Sequence, residues 1–236
     1  PTMAVATVGT TATTAVDQVK EMAAVCQRYN IWLHVDSAHA GTAAIVPEMR
    51  WIHEGVQEAD SFTFNPHKWM FVGFDCNAFW VKDKKTLVKS LSVLPEYLRN
   101  AATESGNVID YRDWHIPLGR RFRALKLWFV MRSYGSQGLK ELIAEHLEWA
   151  QWFENQVLQD SNWRITHLRT MNLVCVAHHS GNEQTEKIAE LINEQGEMSV
   201  TSTLVEGERI IRFCFGGTQT RFEHVKAAYE RLRELG

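Results

Sequence analysis

Short apolar runs alternate with a longer amphipathic stretch in the first part of the chain. The runs have the length and the turn-prone boundaries of strands, and they occupy residues 3–8, 31–36, 61–64 and 77–82. The stretch between the first two runs spans residues 16–29 and carries Val16, Val19, Ala23 and Cys26 at helical spacing. This order predicts a βαβ unit within an α/β sheet that is covered on both faces, with residues 3–8 as a buried strand.

The pattern changes twice after this unit. From Lys84 to about Asp110 the regularity fades, which predicts a long loop with a mobile part at about 91–110. Helical spacing returns over 120–134, stops at Gly135, and resumes over 138–159. The remainder predicts the order β-β-α-β-β-α, with elements near 163–167, 171–177, 183–195, 198–205, 208–215 and 220–235. We therefore expect part of a large α/β domain over 1–140 and a small α+β domain over 141–236.

Composition narrows the class of protein. The chain has 236 residues, 45% of them hydrophobic, and a formal charge of -3. Such a composition is globular, and it lacks the basic excess of an electrostatic nucleic-acid binder. The basic cluster at 119–126 fits a solvated or phosphate-facing helix surface better than a nucleic-acid footprint. We expect no nucleic-acid partner.

The spacing of the cysteines and the hydropathy of the chain indicate the cellular setting of the protein. The four cysteines are widely spaced without a Cys-x-x-Cys pair, which favours a reducing, cytoplasmic setting over a disulfide framework. No apolar run approaches the roughly 20 residues of a membrane span, so we expect no membrane association. Because the chain starts at Pro1 and enters a strand almost at once, it reads as the later part of a longer protein.

Lys68 is the residue whose setting most needs explaining. It lies in "SFTFNPHKWMFVGFDCNAFWV" (61–81), a segment so apolar that the lysine is expected to be buried. A lysine that merely extends its stem to solvent is one interpretation. However, Asp36 ends the strand "IWLHVD", one crossover before Lys68. Because ligands bind beyond the carboxyl ends of strands in α/β sheets, the two side chains are predicted to face each other across a pocket.

Two chemistries suit this arrangement. Pyridoxal phosphate is held as a Schiff base by a lysine, while an acid pairs with its pyridinium nitrogen, and burial favours the neutral amine that attacks an aldehyde. Alternatively, His34, Asp36, His39 and His67 are potential metal ligands. Because His39 falls in a turn beyond the strand that carries His34, spacing gives no preformed tetrahedral set. We expect no metal, and a structural role for His34.

Several motifs together resemble one enzyme family. They are "HVDSAHAG", "ADSFTFNPHKW", "FDCNAFWVK" and "DYRDWHIPLGRRFRALKLWFVMRSYG". The chain resembles the group II pyridoxal-phosphate decarboxylases, in the branch acting on aromatic L-amino acids (DOPA, tryptophan or tyrosine). The resemblance implies a fold-type-I, aspartate-aminotransferase-like architecture and a homodimer. It also implies that the first half of the family's large domain, an N-terminal half of the same protein, is missing from this sequence.

The resemblance also assigns roles by position. Lys68 matches the Schiff-base lysine, Asp36 the partner of the pyridine nitrogen, and Ala38 the small residue packed on one ring face. Further matches, with turn capping as the alternative for two of them, are Thr11, which approaches the cofactor, and Asn65 and His67, which help to hold the phosphate. The family's "HVDAAYAG" reads "HVDSAHAG" here. The sequence leaves the effect of Ser37 and His39 open.

The implied reaction is decarboxylation of an aromatic L-amino acid to its amine and CO₂. Tyr97 matches the loop tyrosine that returns a proton to the substrate's Cα, whereas related aldehyde synthases carry Phe there. Gly119 matches a substrate-contacting position and leaves room for a broad indole or catechol ring. The alternatives are an aromatic aldehyde synthase on the same scaffold, and a catalytically inactive fragment or interaction protein.

Overall fold

Two four-stranded sheets organise the protein. The computed structural model describes residues 1–92 and 109–236. The first sheet has the order β1-β2-β3-β4, parallel except for β4, and its strands are β1 (Met3–Thr7), β2 (Trp32–Asp36), β3 (Ser61–Phe64) and β4 (Ala78–Val81). The second sheet is antiparallel with the order β5-β6-β8-β7, and its strands are β5 (Trp163–Ile165), β6 (Leu173–His178), β7 (Thr201–Val205) and β8 (Glu208–Cys214).

The helices follow the predicted pattern in most places. They are α1 (Val19–Tyr29), α2 (Pro66–Trp69), α3 (Lys84–Leu91), α4 (Arg123–Val157), α5 (Asn182–Glu194) and α6 (Phe222–Leu235). Gly135, where a break was predicted, interrupts α4 with φ +66°, a conformation that glycine adopts at little cost. No helix in the described ranges is both long and apolar enough to cross a bilayer.

Each sheet packs against its own set of helices. Leu33 and Val35 of β2 are buried in a cluster that includes Val19 and Ala23 of α1. Val174 and Val176 of β6 lie in a second cluster with residues of α4, α5 and α6. The division into domains at residue 140 stays a prediction, because Ile143 of α4 belongs to the first cluster and Phe153 to the second.

The prediction of a first sheet covered on both faces was wrong for this chain. Side chains alternate along a strand, and the face opposite Leu33 and Val35 stays open. That open face carries Met3 and Val5 of β1, which are 50% and 47% exposed, and Phe79 of β4, which is 48% exposed. β1 is therefore an edge strand with one open face and not a buried strand.

The predicted irregular segment begins later than expected, because residues 84–91 form α3. Asp83 caps this helix: its carboxylate accepts hydrogen bonds from the Lys85 N–H (2.9 Å) and the Thr86 hydroxyl (2.5 Å). The helix buries none of its residues fully, and its apolar side chains Leu87, Val88 and Leu91 are only half-buried, so its apolar face is short. A cap of this kind is a local signal that periodicity does not contain.

Candidate active site

The candidate site lies at the carboxyl ends of β2 and β3. Asp36, the last residue of β2, is in register with Thr63 of β3. Beyond the strands, the Asn65 N–H donates to the Ala38 carbonyl over 2.9 Å, which holds the two chain segments together. α2 follows immediately and carries Lys68. The crossover predicted to bring Asp36 and Lys68 to one edge of the sheet is therefore present.

Asp36 points toward the open face of the sheet. It shares that face with His34, is half-buried, and accepts a hydrogen bond at Oδ1 from the Ala38 N–H over 3.0 Å. Within residues 1–92 and 109–236 its carboxylate forms no salt bridge. The second oxygen therefore remains available for a further donor on the open face.

The prediction that Lys68 is buried was wrong for this chain, since its side chain is exposed. α2 is a single short turn whose ends, Pro66 and Trp69, are buried, while Lys68 lies on the opposite side. The apolar neighbours in the sequence therefore bury themselves without covering the lysine. In the described ranges its amine makes neither a hydrogen bond nor a salt bridge, so it is accessible from outside this chain.

The two residues predicted to hold a phosphate are oriented by their surroundings. Nδ1 of His67 lies 2.7 Å from the Cys76 carbonyl oxygen and 3.0 Å from the Cys76 nitrogen, so the Cys76 backbone holds the ring through Nδ1 and leaves Nε2 on the other side of the ring. Oδ1 of Asn65 accepts from Nδ2 of Asn77 over 2.5 Å, and the same amide nitrogen lies 2.8 Å from Oγ1 of Thr63. Sequence reasoning missed Asn77, although a polar residue just before a strand beside the site was visible.

Thr11 lies in a turn that the second sheet anchors. Arg212 of β8 donates from Nη2 to the Thr11 carbonyl (2.6 Å) and from Nε to the Ala12 carbonyl (2.8 Å). The turn starts at Gly9, with φ +87°, where a Cβ would lie 3.0 Å from Cβ of Ala40. The Thr11 side chain is exposed, as expected of a residue that approaches a ligand. The anchoring role of Arg212 could not be found from sequence, because the two residues are far apart in the chain.

The two departures from the family motif have defined partners. Ser37 is fully buried, with Oγ 2.7 Å from Nε2 of buried His53. Nε2 of His39 lies 2.8 Å from Oδ1 of Asn172, and its ring stacks on Trp69 with centroids 4.9 Å apart and planes inclined by 5°. His39 therefore both packs and forms a hydrogen bond, which answers a question that the sequence left open.

Gly119 lies at a separate cleft of about 420 Å³. The residues that line the cleft are Asp75, Asn77, His115, Pro117, Gly119, Arg120, Arg121 and Arg123. Gly119 is exposed, and a Cβ there would have no atom within 4 Å, so the chain itself leaves the space that the prediction requires. Arg123 forms a salt bridge with Asp75 (2.9 Å), and its hydrogen bond lowers the pKa of Asp75 to about 2.

Tyr97 and most of the predicted loop lie outside the described residues. The alternative metal ligands do not converge: Nδ1 of His34 lies 2.9 Å from Oγ of Ser61, whereas His39 contacts Asn172. In the part of the chain that the structure describes, no group of three or more His, Cys, Asp or Glu side chains is arranged to hold a metal ion.

The donors at this edge fit pyridoxal phosphate. The amine of Lys68 is accessible to an aldehyde, and the carboxylate of Asp36 suits a protonated ring nitrogen. The His67 imidazole and the Asn65 amide are polar groups of the kind that contact phosphate oxygens. Ala38 leaves space beside the carboxylate for a flat ring, because its side chain is a single methyl group.

Comparison with known proteins supports a pyridoxal phosphate site. Residues 1–178 match the pyridoxal-dependent decarboxylase conserved domain. The chain is 44% identical to tyrosine decarboxylase 3 of Petroselinum crispum, over 97% of this chain and 46% of the relative, and 43% identical to a phenylacetaldehyde synthase of a Rosa hybrid cultivar, over 99% and 49%. The crystal structure of Oryza sativa TDC with PLP and tryptamine superposes with a TM-score of 0.94 at 38% identity, covering 99% of this chain and 50% of that one.

These similarities confirm the predicted fold class. The chain is part of a fold-type-I architecture, and it spans about half the length of the curated relatives it matches. The matched family model covers both the Asp36 strand and the Lys68 helix. The chain belongs to the pyridoxal-dependent decarboxylase family.

Proposed function

We propose that the protein containing this chain removes the carboxyl group of an aromatic L-amino acid as CO₂ and releases the amine. The observation that carries the proposal is the placement of an accessible amine, Lys68, and a carboxylate, Asp36, at the carboxyl ends of adjoining strands. Relatives named as tyrosine decarboxylase and as TDC with tryptamine support an aromatic substrate. The choice among aromatic rings stays open.

Each residue at the edge has a task that its geometry allows. Pyridoxal phosphate, when bound, supplies a protonated ring that accepts the electron pair released as CO₂ leaves. Lys68 would hold it covalently, and Asp36 would keep its ring nitrogen protonated. Ala38 would pack on one ring face, and Thr11 would approach the cofactor from the anchored turn.

The phosphate group would lie beside His67 and Asn65. Their hydrogen bonds to the Cys76 backbone and to Asn77 fix the direction of each side chain before a ligand arrives. Preorganised donors bind without a further ordering cost, so this pair favours a single orientation of the cofactor.

The open face of the first sheet exposes apolar side chains that other protein would have to cover. Met3, Val5 and Phe79 are about half exposed there, and α4 exposes Trp128 (53%) and Phe129 (57%). Exposed apolar patches of this extent mark interaction surfaces. We propose that an N-terminal half of the same protein covers the open face, and that a homodimer covers the first part of α4 and places Gly119 at a substrate site.

Proton return to the substrate is assigned to Tyr97 by resemblance. A tyrosine hydroxyl acting as a general acid contributes typically about 10²–10⁴-fold to a rate. The relative named phenylacetaldehyde synthase favours one second candidate, an aromatic aldehyde synthase. A cytoplasmic location is proposed from the four free cysteines.

Replacing the lysine tests the proposal. Lys68→Ala in the full-length protein should abolish the visible absorbance that appears with pyridoxal phosphate, since the proposal attaches the cofactor to this amine. Borohydride reduction followed by peptide mass spectrometry should locate the adduct on Lys68 in the unsubstituted protein. Lys82→Ala is the matched control, because Lys82 is an exposed lysine beyond the opposite end of the sheet.

Product analysis separates the two candidate reactions. The protein is given tyrosine, DOPA and tryptophan, and amine, aldehyde, CO₂ and peroxide are quantified. Amine with CO₂ supports simple decarboxylation, whereas aldehyde with peroxide supports the synthase. Adduct formation on a different lysine would refute the assignment of Lys68.

A further inference from the structure

Trp69, the neighbour of Lys68 in α2, is held from two sides. It is fully buried, and its Nε1–H donates to Nδ1 of His146 over 3.1 Å. The ring of His39 stacks on it, nearly parallel, at 4.9 Å between centroids. Because α2 is a single turn, fixing Trp69 fixes the backbone from which the Lys68 side chain extends.

His39 is itself fixed by Asn172, and the hydrogen bonds define its tautomer. Nδ2 of Asn172 donates to the Phe215 carbonyl over 2.9 Å, so Oδ1 is the atom that faces His39. An amide oxygen only accepts, so Nε2 of His39 carries the proton. The contact thus joins the end of β2 to the residue just before β6 in the second sheet.

The charge state of His39 suits a position beside the lysine. Burial lowers the pKa of the His39 imidazole, and the Lys68 and Arg212 charges lower it further, against the opposing effect of the Asn172 hydrogen bond. The ring is therefore neutral near pH 7. It acts through shape and one hydrogen bond and adds no positive charge next to the amine.

We propose that His39 is a positioning residue for Lys68: held by Asn172, its ring packs on Trp69 and fixes the turn that presents the amine. The inference rests on the proposed role of Lys68 as the attachment point of the cofactor. It assigns a task to a position at which this chain departs from the family motif. It also makes Asn172, in the second sheet, part of the support for the amine.

The test measures cofactor capture and not turnover. Full-length His39→Phe keeps a stacked ring and loses the hydrogen bond, while Asn172→Ala removes the acceptor and leaves the imidazole. Each should slow the appearance of Schiff-base absorbance about tenfold, within the range produced by a loss of orientation. The double variant should be no slower than the slower single variant, because both changes break the same His39–Asn172 hydrogen bond.

His34→Phe is the matched control. His34 lies on β2, five residues before His39, and also contacts an aromatic ring, Phe79, but its hydrogen-bond partner is Ser61, away from Trp69. Capture by this variant should stay within about twofold of the unsubstituted protein. Thermal unfolding of each cofactor-free variant and visible circular dichroism per bound cofactor separate positioning from general destabilisation. A positioning role changes the dichroism at matched unfolding temperature.

The outcomes are distinct. Capture by His39→Phe and Asn172→Ala at the rate of His34→Phe, with unchanged dichroism, would overturn the inference while leaving Lys68 as the attachment site. If His39→Phe does not fold, Asn172→Ala decides the matter by the same two measurements. Absence of an adduct on Lys68 in the unsubstituted protein would instead refute the proposed function.

Discussion

The two sheets differ in how completely this chain covers them. All six residues of β6 are buried, whereas β2, also an inner strand, alternates between buried and half-buried residues. Both faces of the second sheet carry apolar clusters. On one face Val174 and Val176 pack with residues of α4, α5 and α6, and on the other face Leu173, Cys175 and Ile210 pack together. The first sheet has a core on one face only. The candidate site lies on the incompletely covered sheet, where a large ligand and additional protein have access.

The largest expected effect concerns the second sheet, which this chain covers on both faces. Phe153 is fully buried, with its ring centroid 4.7 Å from that of Phe213 and 5.2 Å from that of Phe215. Phe153→Ala should lower the free energy of unfolding by about 3–5 kcal/mol, because it leaves a cavity in a packed core. Urea unfolding of the full-length protein measures the loss. Leu168→Ala, at a position 83% exposed, is the control and should change it by less than about 0.5 kcal/mol.

The second largest effect on the free energy of unfolding is expected from acid, because two histidines are buried. Burial lowers the pKa of His53 and of His146 from 6.5 to about 4. As the pH falls, the unfolded chain binds protons at these two histidines before the folded protein does. Their contribution to the free energy of unfolding is therefore complete above pH 6.5 and is lost as the pH falls toward 4. Each group accounts for up to about 3 kcal/mol.

Unfolding measured from pH 7 to pH 4 checks this expectation. His146→Gln keeps an acceptor for Trp69 and should flatten the dependence on pH. His179→Gln, at an exposed position, should leave it unchanged. An identical pH dependence in both variants would contradict the assignment to His146.

A smaller effect tests the open face directly. Phe79 on β4 and Leu204 on β7 are similarly exposed strand residues, at 48% and 54%, one on each sheet. If other protein covers the open face, Phe79→Ala should lower the unfolding free energy of the full-length protein by about 2 kcal/mol. Leu204→Ala should stay within about 0.5 kcal/mol. Equal, small losses would contradict the proposal that the open face is covered.

Sequence periodicity was sufficient for most of the fold and for the position of the site. The strand containing Asp36, the helix break at Gly135 and the sequence of strands and helices after residue 160 all follow from patterns in nearby residues. The exposure of Lys68 did not, because apolar neighbours on a single turn say nothing about which side the lysine occupies. Covering of the first sheet also depends on contacts outside this chain, and local patterns cannot report those.

The long-range contacts at the site were beyond sequence reasoning for a related reason. His39 and Asn172 are brought together by the packing of two sheets, and nothing near either residue indicates the other. The cap at Asp83 is a different case. Its signal was local and readable, but a search for apolar periodicity passed over it.

The two hydrogen bonds from Arg212 to the Thr11 turn bear on which amino-acid substitutions preserve the turn. Both of its bonds end on main-chain oxygens, which every amino acid possesses. Exchanging the side chain at position 12 therefore leaves the tether intact, whereas exchanging the arginine removes both hydrogen bonds whatever the sequence of the turn. Outside Gly9 and Thr11, the side chains of the turn can therefore change while this tether stays, provided that the distant guanidinium is kept.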